Sequence, residues 1–148
     1  QLYGPMEQAS FAFGDRLRPA FLLEGRPTAM LICYDIEFPQ HARALAQAGA
    51  GLILVPTANP AGFEHVQRLF VPARAAENDA VVAYANQAGT EDGLTFGGLS
   101  VIAGPDGAPL AMAGARGEAL LIVDLADADA VPQSLRSAQR QDYRPPKG

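Results

Sequence analysis

Short apolar runs bounded by glycine and proline alternate along this chain with longer stretches in which apolar residues return every three or four positions, the pattern of strands interleaved with helices. Ala29-Met30-Leu31-Ile32 leads into Cys33 and follows Gly25 and Pro27. Four apolar residues in a row read as a central strand covered on both faces. Upstream, Ala20 to Leu23, the Glu24-Gly25 turn and Thr28 to Cys33 make a hairpin. Pro39 suits the first position of a helix, which Gln40 to Ala48 continues until Gly49 stops it. Gly51 to Pro56 is a second buried strand. Two strands joined by a helix-length crossover form a βαβ unit with parallel neighbours. From Glu64 to Asn78, Val66, Leu69, Phe70, Ala73 and Ala76 recur at helical spacing, with Pro72 kinking the helix or marking its start. Ala80 to Asn86 is a third strand.

Beyond it the pattern changes. Thr90 to Thr95 reads as a polar turn, and Leu99 to Ala103, Pro109 to Ala113 and Ala119 to Asp124 read as strands returning antiparallel, the middle one an edge strand opened by its proline. Ala126 to Ser137 is expected to hold a short helix. Gln139 to Gly148 is a polar tail, expected to lie on a partner surface or stay mobile. Residues 1 to 18 read as a loop anchored by Phe11 and Phe13. No internal repeat or domain boundary interrupts the chain.

Composition narrows the class. With 148 residues and 49% hydrophobic content, the chain is sized for one domain with a substantial core. A formal net charge of -5 and a pI near 4.9 disfavour nucleic acid or an anionic membrane as partner, since both require clustered Lys and Arg. One cysteine makes no internal disulfide, and no apolar segment is long enough to span a bilayer, so the expected location is cytoplasmic.

The candidate chemistry gathers where strands end. Cys33 sits at a strand's carboxyl end, a few residues before a helix, which is where open α/β sheets place their sites. Taken alone, the same residue is also read as a small buried hydrophobe. Thr57-Ala58-Asn59-Pro60 follows the second strand directly, which makes Asn59 and Phe63 candidates for substrate contact. Glu7, taken alone, is a surface carboxylate. Asp35 and Glu37 either take part in the site or serve structure, by pairing with Arg43 or capping the helix. His41 and His65 show no ligand spacing with Cys33 and read as solvated or capping groups. Gly98, inside Phe96-Gly97-Gly98-Leu99-Ser100, reads as a close approach of backbones rather than a phosphate loop, because no helix follows it.

The stretch Leu31 to Pro39, with Glu7 upstream and Arg74, Glu77, Asn78, Asn86, Phe96, Gly98, Ser100, Pro105 and Gly107 downstream, resembles the nitrilase superfamily of carbon-nitrogen hydrolases. The resemblance covers nearly the whole chain. Tyr34-Asp35 after the cysteine looks like its amidase branches, where Trp-Glu would look like true nitrilases. The resemblance implies an α/β fold of four layers, an αββα sandwich, assembling as a homodimer or higher homo-oligomer through outer helices. It also implies a Glu-Lys-Cys triad that works without metal or organic cofactor. Cys33 matches the nucleophile, and Glu7 matches an additional glutamate that positions the substrate or the lysine. The backbone N–H of Tyr34 is implied as an oxyanion donor, and Arg74, Glu77 and Asn78 as residues packed behind the site, with an ion pair among them.

The base glutamate and the lysine have no match. Glu24, Glu37 and Lys147 do not occupy their positions, so residues 1–148 read as the carboxyl-terminal portion of a single hydrolase domain whose sandwich is incomplete here. The activity implied is thiol-dependent hydrolysis of a small, neutral carboxamide, with the chain by itself inactive. A non-catalytic binding or assembly subunit that keeps the fold is the alternative, and a redox-sensing thiol protein a weaker third.

Overall fold

The computed structural model describes residues 1–144, which leaves Lys147 and the end of the polar tail outside the described residues. A six-stranded sheet runs in the order β1-β2-β3-β4-β7-β8. Its centre is parallel: β2 (Arg26–Met30) pairs with β3 (Leu52–Thr57), and β3 with β4 (Val81–Asn86). β1 (Phe21–Leu23), β7 (Val101–Ala103) and β8 (Pro109–Met112) join antiparallel, with β1 and β8 at the edges. Two helices supply the crossovers. α2 (Pro39–Gln47) opens on its proline, and α3 (Val71–Asn78) has Pro72 in its first turn, preceded by a π-helical turn at Val66–Phe70. Phe70 and Val71 are both right-handed helical, so the π-helical turn runs directly into α3 and Pro72 falls at their junction, where the change of hydrogen-bond pattern accommodates its missing N–H.

The side chains that alternate along the strands divide into two layers. Ala29, Leu31, Ile53, Val55, Val82 and Tyr84 pack with Leu45, Val71 and Ala75 into the main core beneath α2 and α3. On the opposite face Leu52 and Val81 meet Ala128 of α4 (Leu125–Asp129), with Leu54, Ile102 and Leu110 only partly covered. The expectation that Ala29 to Ile32 is covered on both faces is therefore corrected. Met30 is 49% and Ile32 65% exposed, because they point to the face that the described residues cover only in part.

Other expectations change as well. Residues 4–10 form a helix, α1 (Gly4–Ser10), rather than a loop: Pro5 sits in its first turn and Met6 to Ala9 are good helix formers. Thr90 to Thr95 is no simple turn but the end of a hairpin, β5 (Ala88–Glu91) with β6 (Leu94–Gly97). Its Asp92-Gly93 corner has positive φ at both residues, as a two-residue hairpin turn requires. Ala119 to Asp124 forms no strand among the described residues, and Leu120 and Ile122 remain more than 80% exposed. The helix expected over Ala126 to Ser137 stops at Asp129 and resumes only as a 3-10 turn at Gln133–Leu135, broken by Pro132. A last short helix, α5 (Gln139–Asp142), begins the tail. Gly98 has φ +55, and a Cβ there would lie 2.6 Å from the Ala115 carbonyl oxygen, so the close backbone approach read from the sequence is present. Among the described residues no helix is long and apolar enough to cross a membrane.

Candidate active site

β2 hands its chain to a 3-10 turn, Cys33–Glu37, which stands between the sheet and α2. Cys33 itself has φ +48, a left-handed conformation that costs a non-glycine residue about 1–3 kcal/mol and persists only where its surroundings impose it. Asp35 imposes it from within the turn. Its carboxylate accepts from the Ile32 N–H at 3.1 Å, and its own N–H donates to the Ile32 carbonyl at 3.0 Å. The Asp35 carbonyl in turn accepts from His41 Nδ1 at 3.1 Å, so the first turn of α2 is tied to the same loop. Asp35 thus serves to close its own turn, not to pair with Arg43.

Arg74 holds the turn from behind. From α3 its Nε donates to the Ile36 carbonyl at 3.1 Å and its guanidinium to the Glu37 carbonyl at 2.9 Å. The same group pairs with Glu77 at 3.3 Å and lies 5.6 Å from the centre of the Phe70 ring. Asn78 completes the unit by donating to the Arg74 carbonyl at 2.9 Å. The ion pair implied behind the site is Arg74–Glu77.

Near the turn, Tyr84 of the main core pairs with the half-buried Thr57. The Tyr84 hydroxyl, on a side chain that is almost fully buried, donates to Thr57 Oγ1 at 3.3 Å. Burial pushes its pKa up to about 12, and the nearby Cys33 and Glu37 act in the same direction. The Glu37 carboxyl is also raised, by desolvation first, against the opposing pull of His65 and Arg74. Because Tyr84 keeps its proton to higher pH when folded than when unfolded, its stabilisation is complete below pH 10 and is lost as pH rises towards 12. Urea unfolding between pH 9 and 12 should show about 2–3 kcal/mol draining away over that window, and Tyr84→Phe should flatten the slope. An equal slope in the variant would assign the loss elsewhere.

In front of Cys33 a cavity of about 790 Å³ is lined by Glu7, Tyr34, Asp35, His41 and the segment Phe11 to Leu17. Glu7 reaches it from α1, half-buried, with its carboxylate accepting from the Tyr3 N–H at 2.5 Å. The fold therefore brings Cys33, Glu7 and Tyr34 to one cavity. It does not bring Asn59 or Phe63 into that lining. Asn59 is buried, and its N–H donates to Asn86 Oδ1 at 2.7 Å while its side chain donates to the Phe63 carbonyl at 3.3 Å. It knots the loop after β3 to the end of β4. Phe63 sits farther out, edge-on to the Tyr3 ring at 6.3 Å. Tyr84 and Tyr3 are the members of this neighbourhood that the sequence did not single out. A tyrosine at the carboxyl end of a parallel strand was the available signal for the first.

A parallel βαβαβ core thus carries, at the end of its first parallel strand, a left-handed cysteine that lines one cavity together with the Glu7 carboxylate. The chain belongs to the carbon-nitrogen hydrolase family, whose model matches residues 2–133. An (R)-stereoselective amidase of Pseudomonas sp. is 39% identical over 140 residues, covering 94% of this chain and 48% of that protein. A protein named as a hydrolase in the pqqF 5' region of Pseudomonas protegens is 48% identical over 82% of this chain and 42% of its own length. Among solved structures, the amidase of Nesterenkonia sp. AN1 superimposes with a TM-score of 0.84 at 44% identity, covering 97% of this chain and 52% of that one. Other structures of that amidase carry butyramide bound to a cysteine mutant, and acrylamide added to the active-site cysteine. The chain spans about half the length of the relatives it matches.

Proposed function

We propose that this chain carries the nucleophile of an amidase acting on a small, neutral carboxamide. Cys33 Sγ attacks the carbonyl carbon and forms a C–S bond. The C–N bond of the tetrahedral intermediate breaks to expel ammonia or an amine, the leaving nitrogen taking up the proton that the thiol gave up, and water then cleaves the thioester, returning one proton to the sulfur as the acid is released. The Tyr34 N–H stands next in the chain to the nucleophile and donates to the oxyanion. Glu7 accepts from the amide N–H of the substrate. No Arg follows the cysteine closely, which disfavours substrates bearing a carboxylate beside the amide. The observation that carries this reading is the left-handed Cys33 facing the same cavity as Glu7 in a chain of this family.

The base glutamate and lysine implied by the resemblance have no counterpart in residues 1–148, so turnover is assigned to a longer protein containing this chain. The purified 148-residue chain is expected to take up an amide electrophile without turning it over. The test is incubation with acrylamide followed by intact-mass measurement. One adduct at Cys33, forming faster than on the urea-unfolded chain, is the expected result. A folded chain that reacts no faster than the unfolded one would favour a binding or assembly subunit instead.

A further inference from the structure

α1 carries the site's carboxylate, yet none of its residues is buried. Apolar burial therefore does not hold Glu7 where it is. Two contacts join this segment to the nucleophile turn: the Gln1 ammonium meets the Asp35 carboxylate, and Tyr3, the residue immediately before the helix, brings its ring to the turn. Its ring meets Tyr34, the neighbour of Cys33, edge-on with centroids 5.2 Å apart, and meets Phe63 edge-on at 6.3 Å. Tyr34 is itself braced edge-on by Phe38 at 4.9 Å. Edge-to-face pairs of this kind have a preferred geometry as well as an energy, so the row of four rings constrains the two inner ones, Tyr3 and Tyr34. The backbone N–H of the same Tyr3 donates to the Glu7 carboxylate at 2.5 Å. One residue thus touches the nucleophile turn with its ring and the carboxylate with its amide. Tyr3 does not line the cavity, so it acts through Glu7 and Tyr34 and not on the substrate.

We infer that Tyr3 is a positioning residue, its half-exposed ring set edge-on between Tyr34 and Phe63 to hold the Glu7 carboxylate in register with Cys33. The inference rests on the amidase reading, in which Cys33 and Glu7 grip one amide. The ring supplies the contact, and the phenolic oxygen is not needed for it.

Two electrophiles of similar shape separate these ideas. Acrylamide offers an amide N–H to Glu7, whereas methyl acrylate does not, and both add to the thiol by forming one C–S bond and taking up one proton at the α-carbon. The ratio of their rates at Cys33 reads the carboxylate's grip on the amide and cancels simple changes in thiol accessibility. Glu7→Gln should lower that ratio about tenfold, the size of one hydrogen bond to a charged group. Tyr3→Ala should lower it similarly, Tyr3→Phe should keep it within twofold, and Tyr3→Ala combined with Glu7→Gln should be no lower than Glu7→Gln alone. Circular dichroism melts of each variant check that the sheet stays folded. Additive losses in the double variant, or a full ratio in Tyr3→Ala, would overturn the positioning role while leaving the amidase reading intact. An unchanged ratio in Glu7→Gln would overturn that reading, and the role of Tyr3 with it.

Discussion

Replacing Cys33 by alanine is expected to reduce the proposed amide turnover, measured in a protein that adds the family's base glutamate and lysine to this chain, to the uncatalysed background, a loss of at least about 10⁴-fold. The effect is this large because the nucleophile has no substitute. Cys33 is the only sulfhydryl in the sequence, and no serine or threonine lies on its turn, Cys33 to Glu37. The fold should survive, since the side chain is only half-buried and alanine keeps the Cβ that the left-handed turn already accommodates. The melting temperature is therefore expected to move by no more than a few degrees, while the acrylamide adduct disappears from the intact mass. Turnover that persists in the alanine variant would remove the thioester route, and with it the assignment of the nucleophile.

The parts of the fold legible in the sequence are those in which pattern and packing agree. Ala29 to Leu31, Gly51 to Pro56 and Ala80 to Asn86 show as strands because each supplies at least two side chains to the core under the helices. The crossover helices show because Pro39 opens α2 and because the apolar spacing from Val66 to Ala76 runs through the π turn into α3. α1 was hidden by its brevity: seven residues are too few for helical periodicity, and the Gly4-Pro5 pair that starts it looks like a break. The run Ala29 to Ile32 misled for a different reason, since apolar residues on two faces say nothing of whether both faces are covered. Leu120 and Ile122 show the same limit, with a strand-like alternation that finds no partner strand among the described residues.

The site was legible through its residue types and only dimly through its geometry. Cys33 and Glu7 stood out by resemblance, and the fold brings them to one cavity. The positive φ of Cys33, the carbonyls that face Arg74 and the ring contacts of Tyr3 all depend on backbone direction, which composition and spacing do not encode. Asn59 shows the converse. A polar residue after a parallel strand marks a loop near the site, yet its donors are spent on Asn86 and Phe63, so it fixes the loop rather than facing the cavity.

Arg74 clamps the far end of the turn that Asp35 closes around Cys33, and Arg74→Met should cost about 3 kcal/mol. Methionine fills much of the same space, so the loss is that of the guanidinium: the Ile36 and Glu37 carbonyls lose their donors, and Glu77 is left without its cation. Arg74→Lys should recover little of it, because an ammonium cannot reproduce a planar fork directed at two carbonyls and a carboxylate together. Urea unfolding at pH 7 measures the cost as a lower midpoint at constant slope. With the turn released, Cys33 is free to leave φ +48, and its rate of acrylamide capture should fall about tenfold even under conditions where the variant remains folded. A loss below about 0.5 kcal/mol, the ordinary scatter for a surface substitution, would show that Asp35 alone holds the turn and that the clamp from α3 is dispensable.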